Sequence, residues 1–271
     1  MPSFRQIFVI GAALVLCVGA ASAASFSGSD LDPGQDSQPI AGTVCGTVTL
    51  SQSASQTVTA LNSVSCNNNM TGFHTDNSYY RAFDPANFGV VMDFNVCSVT
   101  LGIESAVAGG ATQPVDVILY SGPAGFPTGF PGSYTQIGTE TVDLPDQSLT
   151  VIEIPITATV PAGDIIVVEI FTPDGSVAGN TFFIGSNNLG ETAPSYLAAA
   201  DCGVTVPTPT GGIGNPQMQI VLEANGDEAT GGGGGADSNY SVEVPTLDWK
   251  GMLALVALLG LAGFIALRRR A

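Results

Sequence analysis

The chain is short of charge, and of positive charge above all. Charged residues make up 11% of its 271 positions; Lys and Arg together number six, with a single His. Arg5 precedes the first apolar run, and Lys250, Arg268, Arg269 and Arg270 flank the last, which leaves Arg81 as the lone base between. Region 24–244 sets that one base against 22 acids, a net charge of −21. Nucleic-acid binding through phosphate neutralisation is thereby excluded, because no basic patch exists to displace counterions. Catalytic and metal signatures are equally scarce. There is no Cys-x-x-Cys pair for zinc or redox chemistry. No second His completes a metal triad with His74, and no serine sits in a nucleophile-elbow context. His74 beside Asp76 leaves open only a hydrolase whose triad assembles from distant positions.

What is present is Gly (34), Pro (17) and a 45% hydrophobic content. That profile suits short strands joined by turns, because helices need more Lys, Glu and Arg on their solvent faces. Phe94 to Ser105 alternates, with Val99, Leu101 and Ile103 on one face. Further strands read at Val115 to Tyr120, Tyr134 to Leu144, Leu149 to Val160, Asp164 to Phe171, Thr181 to Gly185 and Gln217 to Ala224. The connections Pro145-Asp146-Gln147-Ser148 and Pro161-Ala162-Gly163 are short enough to predict hairpins between antiparallel neighbours. The fold class expected is all-β: an antiparallel, jelly-roll-like sandwich over 38–225, preceded by a flexible segment 24–37. Segment 115–171 resembles a motif of bacterial secreted jelly-roll modules. Its matching pieces are Leu119-Tyr120, the Gly/Pro-rich Gly122 to Gly132 and Pro161-Ala162-Gly163.

The ends carry targeting signals. Residues 1–23 read as a signal peptide: Arg5 in the n-region, Ile7 to Ala20 as the apolar run, Ala21-Ser22-Ala23 at the cleavage site. Cys17 is expected to leave with it. Gly226 to Glu243, including Gly231 to Gly235, forms an 18-residue linker, with an average reach of roughly 21–25 Å. The terminal segment 244–271 opens on Val244-Pro245-Thr246-Leu247-Asp248-Trp249, followed by an apolar run 251–267 and Arg268-Arg269-Arg270. As a helix, that run spans roughly 25 Å, enough to cross a bilayer core. Trp249 suits the interface, and the Arg triplet stays cytoplasmic by the positive-inside rule. This tail resembles the IPTL-CTERM sorting signal of Gram-negative bacteria, with Trp249 standing one position closer to the motif than in the usual form. The resemblance implies a membrane stop at Arg268–Arg270 and processing near Pro245-Thr246 by an exosortase-type transpeptidase. It also implies delivery to the cell surface or outer envelope after transit through the inner membrane.

Four cysteines remain after signal removal: Cys45, Cys66, Cys97 and Cys202. An even count in an exported chain predicts two disulfides, and three pairings are open. The favoured one joins Cys45 to Cys66 and Cys97 to Cys202. Arg81 lies on the face of Tyr79 and Phe83, so burial there demands a carboxylate. Glu169, an acid in the apolar run Ile165 to Phe171, is the expected partner, with Asp84 or Glu104 as alternates. Phe126, Phe130 and Tyr134 serve either as loop anchors or as a stacking platform for sugars. No cofactor is indicated, while Asp143 with Asp146, or Asp174, leaves room for a structural calcium. The expected function is a non-enzymatic binding, adhesion or matrix protein at the surface, its partners the membrane, the processing enzyme and extracellular polysaccharide. A calcium-dependent carbohydrate-binding module and a surface hydrolase are the alternatives.

Overall fold

A computed structural model describes residues 24–38, 44–110 and 112–230. The expected signal peptide (1–23), the expected sorting motif with Trp249, the apolar run 251–267, the Arg triplet and residues 231–243 all lie outside the described residues. The strands in chain order are β1 (Ala24–Ser27), β2 (Val48–Ser51), β3 (Ser65–Asn68), β4 (Asn77–Phe83) and β5 (Phe94–Val107). Then come β6 (Gln113–Gly122), β7 (Thr135–Leu144), β8 (Gln147–Val160), β9 (Ile165–Thr172) and β10 (Thr181–Ile184). The last are β11 (Ser186–Asn187), β12 (Tyr196–Ala199), β13 (Val204–Pro209), β14 (Gln219–Ile220) and β15 (Leu222–Glu228). Every ladder between them is antiparallel.

Two sheets face each other. One runs β10-β5-β15-β2, with β8 on the other side of β5; the second runs β13-β12-β4-β9-β6-β7. Period-two alternation assigns the faces. Val99, Leu101 and Ile103 of β5 and Ile154 and Ile156 of β8 meet Tyr79 and Phe83 of β4 and Ile166, Val168 and Ile170 of β9 in one core. Burying each such aliphatic side chain contributes about 1.5–3 kcal/mol. The expected all-β antiparallel sandwich is therefore present.

The two short connections differ from expectation. β7 pairs with β6, and β8 pairs with β5, so Pro145-Asp146 carries the chain from one sheet to the other. Pro161-Ala162-Gly163 does the same between β8 and β9. Neither is a hairpin. The long β5 offers β8 a ladder from Phe94↔Val160 to Ala106↔Gln147, and the apolar faces of β8 and β9 both reach the core only from opposite sheets.

Both domain limits also shift. Segment 24–37 is not a free leader: β1 zips onto β3, and the Ser37 amide donates to the Val58 carbonyl at 2.8 Å. Gly226 belongs to β15 rather than to the linker. A Cβ there would stand 2.1 Å from the Asn95 carbonyl oxygen. Glycine at 226 therefore serves a close approach between backbones.

The cysteines join as Cys45–Cys97 and Cys66–Cys202, which corrects the favoured pairing. Cys97 is the extra residue at a bulge in the ladder to β15, where β5 steps from Val96 to Ser98 against Gly226 and Asn225, and the ladder to β8 passes it over as well. The bulge frees Cys97 from both ladders, and Cys45, just ahead of β2, lies within reach of it. Cys66 sits in β3 beside β1, on a different sheet from β2, where Cys202 ends the 3-10 turn Ala200–Cys202. Two disulfides are consistent with an oxidising, exported environment.

Candidate functional site

The outward face of the six-stranded sheet carries the densest polar and aromatic cluster. In β9, Ile166, Val168 and Ile170 point inward, so Val167 and Glu169 point outward. The register sets Glu169 opposite Tyr80 on one side and Ile118 on the other. The Tyr80 hydroxyl donates to Glu169 Oε1 at 2.9 Å, and the Tyr120 hydroxyl donates to Oε2 at 2.8 Å. Glu169 is 7% exposed. Burial first, then the Glu169 charge, pushes both phenols far above the ordinary tyrosine range, which keeps them protonated as donors.

The loop between β6 and β7 folds over this face. Phe126 packs edge-on against Tyr196, centroids 4.9 Å apart, and tilts against Tyr80 at 5.8 Å. Phe130 stands edge-on to Tyr120 at 5.1 Å. Phe126 and Tyr134 are buried, so they act as loop anchors. Phe130 and Tyr120 remain half-buried at the rim. Ring faces in this cluster are mostly spent on one another.

The expected Arg81–Glu169 pair does not form. Arg81 is buried on the inner face, as the alternation predicts, but its register partner on β9 is Val168. Residues opposite each other share a face, so Glu169 belongs with Tyr80, on the far side of the sheet. Arg81 Nη1 instead meets Glu191 Oε2 at 3.1 Å, the one ion pair among the described residues. Its Nε and Nη2 donate to the Ile220 carbonyl at 3.0 and 2.7 Å, and Nη1 donates to the Ala193 carbonyl at 2.7 Å. Burial draws the guanidinium down to about 10, with Glu191 pulling the other way, and it stays charged at neutral pH. Neither alternate partner meets Arg81. Asp84 accepts from the Ala86 amide at the start of a 3-10 turn.

Glu104 holds a separate network. It accepts from the Ser29 hydroxyl and from the amides of Leu61, Asn62 and Ser63 at 3.0, 3.2 and 2.9 Å. Leu61 has φ +63°, a left-handed backbone rare for a branched residue, and Glu104 pins it. Burial raises the Glu104 carboxyl, while the Ser29 and Ser63 hydroxyls and the backbone amides pull it back. An acid inside an apolar strand was the sequence signal for this role; its partners carried none.

His74 is wholly buried. Nε2 lies 2.8 Å from Gln113 Oε1, and Nδ1 lies 3.0 Å from the Thr75 carbonyl. A Cβ at Gly175 would stand 2.5 Å from Nε2, so the ring is walled in by backbone. No serine is among its hydrogen-bond partners. The acids considered for calcium act as turn acceptors. Asp143 accepts from Thr112, Asp146 from the Ala108 amide and Asp174 from the Ser176 amide. No group of three or more His, Cys, Asp or Glu converges among the described residues. Two shallow depressions, of about 220 Å³ beside Asp84 and Pro161 and about 210 Å³ beside Tyr80 and Ala198, indent the surface.

No family model matches this chain. No curated protein matches it either. Among solved structures, an aminopeptidase from the marine sediment archaeon Thaumarchaeota archaeon is 11% identical, with a TM-score of 0.26. The match covers 55% of this chain and 25% of that enzyme, and at that level it carries no argument.

Proposed function

We propose that this chain is a non-enzymatic binding or adhesion module, jelly-roll-like in build, displayed at the bacterial surface through its C-terminal tail. The observation that carries the reading is the ordered series Val244-Pro245-Thr246-Leu247, Trp249, apolar run and Arg268–Arg270, set behind a Gly-rich tether. A Trp at the interface, one helix-length of apolar residues and a terminal Arg cluster make a stop-transfer anchor. The resemblance to the IPTL-CTERM signal adds processing by an exosortase-type enzyme near Pro245-Thr246. The domain ahead of the tail suits an exterior: it is strongly acidic and carries two disulfides.

Support for binding over catalysis comes from how the buried ionisable groups are used. Arg81, Glu104, Glu169 and His74 are each held by hydrogen bonds to strands and loops of the sandwich. The proposed partners are the inner membrane, the processing enzyme and extracellular polysaccharide or matrix.

The test is fractionation of the native host with and without its exosortase, followed by mass spectrometry of the C-terminal peptide. A mature end near 244–246 in the surface fraction, dependent on that enzyme, is the expected result. A tail that still carries Arg268–Arg270 in both strains overturns sorting and leaves a single-span anchor.

A further inference from the structure

Proteases that cleave after Lys or Arg have one target in region 24–244. The sequence there holds no Lys and a single Arg, so Arg81–Ala82 is the one bond they can address. Such an enzyme draws the basic side chain into a pocket that carries an acid, and it needs the bond in an extended, unpaired segment. Hydrolysis then adds water across the amide: the hydroxyl goes to the Arg81 carbonyl carbon and the proton to the Ala82 nitrogen.

The fold withholds both requirements. Arg81 has no exposed surface. Its guanidinium is already held by Glu191 and by the Ile220 and Ala193 carbonyls, and Nη2 also donates to Ser53 Oγ at 3.2 Å. The backbone around it is paired as well. Arg81 faces Val168 and Ala82 faces Val167 on β9, while β12 holds Ser78 to Tyr80 from the other side. Pulling this stretch free strips the wholly buried Tyr79 and Phe83 from the core. An opening of that size approaches global unfolding, so cutting follows the population of unfolded chain.

The disulfides close the bond a second time. Cys45 and Cys66 precede it and Cys97 and Cys202 follow it, so both bridges cross Arg81–Ala82. The pairing favoured from sequence would have put one bridge on each side and left a cut chain free to part. With the observed pairing, a chain cut after Arg81 stays joined by two covalent links.

We infer that this domain is built to persist among proteases specific for Lys and Arg. It offers them one latent site, Arg81–Ala82, shut inside a sheet and bridged by both disulfides. The inference stands on the described domain alone and holds whether or not the tail is sorted.

The test incubates the full chain in detergent with trypsin, beside a synthetic peptide of residues 74–90 as the open reference. Mass spectrometry and N-terminal sequencing read cutting after Arg81; cuts at Lys250 or in the Arg triplet fall outside the domain. Cutting after Arg81 in the native chain is expected to be at least about a thousandfold slower than in the peptide. At the midpoint of urea unfolding, with the peptide in the same urea, the chain should be cut after Arg81 at about half the peptide rate. That product should run as one band without reductant and as two with it. Arg81→Met should stay whole between 24 and 244 in both conditions, folded or not. Faster cutting in the native chain overturns the closed site, and so does a chain that resists in urea. Halves that part without reductant overturn the second closure.

Discussion

Tyr80 and Glu169 stand opposite each other across the β4–β9 ladder, and the phenol donates to the carboxylate at 2.9 Å. With Tyr120 on the second oxygen, both carboxyl oxygens are hydrogen-bonded by phenols rather than by a base.

Tyr80→Phe keeps the ring and deletes one donor to a buried carboxylate. The expected loss is about 1.5–3 kcal/mol, since hydrogen bonds to charged groups exceed neutral ones. Urea unfolding reads it directly; an unchanged midpoint contradicts the geometry.

Arg81→Met leaves Glu191 without its cation, takes the Ala193 carbonyl's guanidinium donor away and leaves the Ile220 carbonyl only the Ser53 hydroxyl. A destabilisation of about 3–5 kcal/mol is expected. A double-mutant cycle of Arg81→Met with Glu191→Gln should show coupling, and a cycle of Arg81→Met with Glu169→Gln should be additive. Coupling only in the second cycle contradicts the assignment.

Peptide mapping under non-reducing conditions should link Cys45 to Cys97 and Cys66 to Cys202. The loops close over 52 and 136 residues. On the chain-entropy model they contribute about 4 and 5 kcal/mol. Cys66→Ala with Cys202→Ala should therefore lower stability more than the equivalent change at 45 and 97. A peptide joining Cys45 to Cys66 refutes the pairing.

Glu228 is half-buried and accepts from the amides of Val91 and Met92 at 2.7 and 2.8 Å, which holds its carboxyl below the usual range. Its folded pKa is depressed, so its contribution is present above the ordinary value of 4.5 and fades as pH falls through the folded one. Carbon-detected NMR should find Glu228 titrating below the ordinary glutamate value. Glu228→Gln should remove its share of the acid-side loss, and an unshifted titration rejects the two hydrogen bonds.

Much of the architecture was legible from local pattern. Val99, Leu101 and Ile103 alternate and lie in the core as read. Arg81 shares the inward face of Tyr79 and Phe83, so its burial followed from strand alternation alone. The short connections misled because a two- or four-residue link restricts distance, not destination. Both hairpins and sheet-to-sheet crossings satisfy it, and only the free ladder edge of β5 decides. Segment 24–37 lacked a strand signal because β1 is four residues long and is stabilised by pairing with β3.

Sequence by itself determined the all-β class, the positions of β5 to β10, the two disulfides as a number and the need of Arg81 for a carboxylate. These follow from residue type and period-two spacing, both local. Only the tertiary structure decided that Arg81 meets Glu191, that Glu169 meets Tyr80 and Tyr120, and that Cys66 meets Cys202. Each joins elements far apart in the chain, and cross-strand register, in which one residue of slip exchanges the faces, is set by the packing of whole sheets.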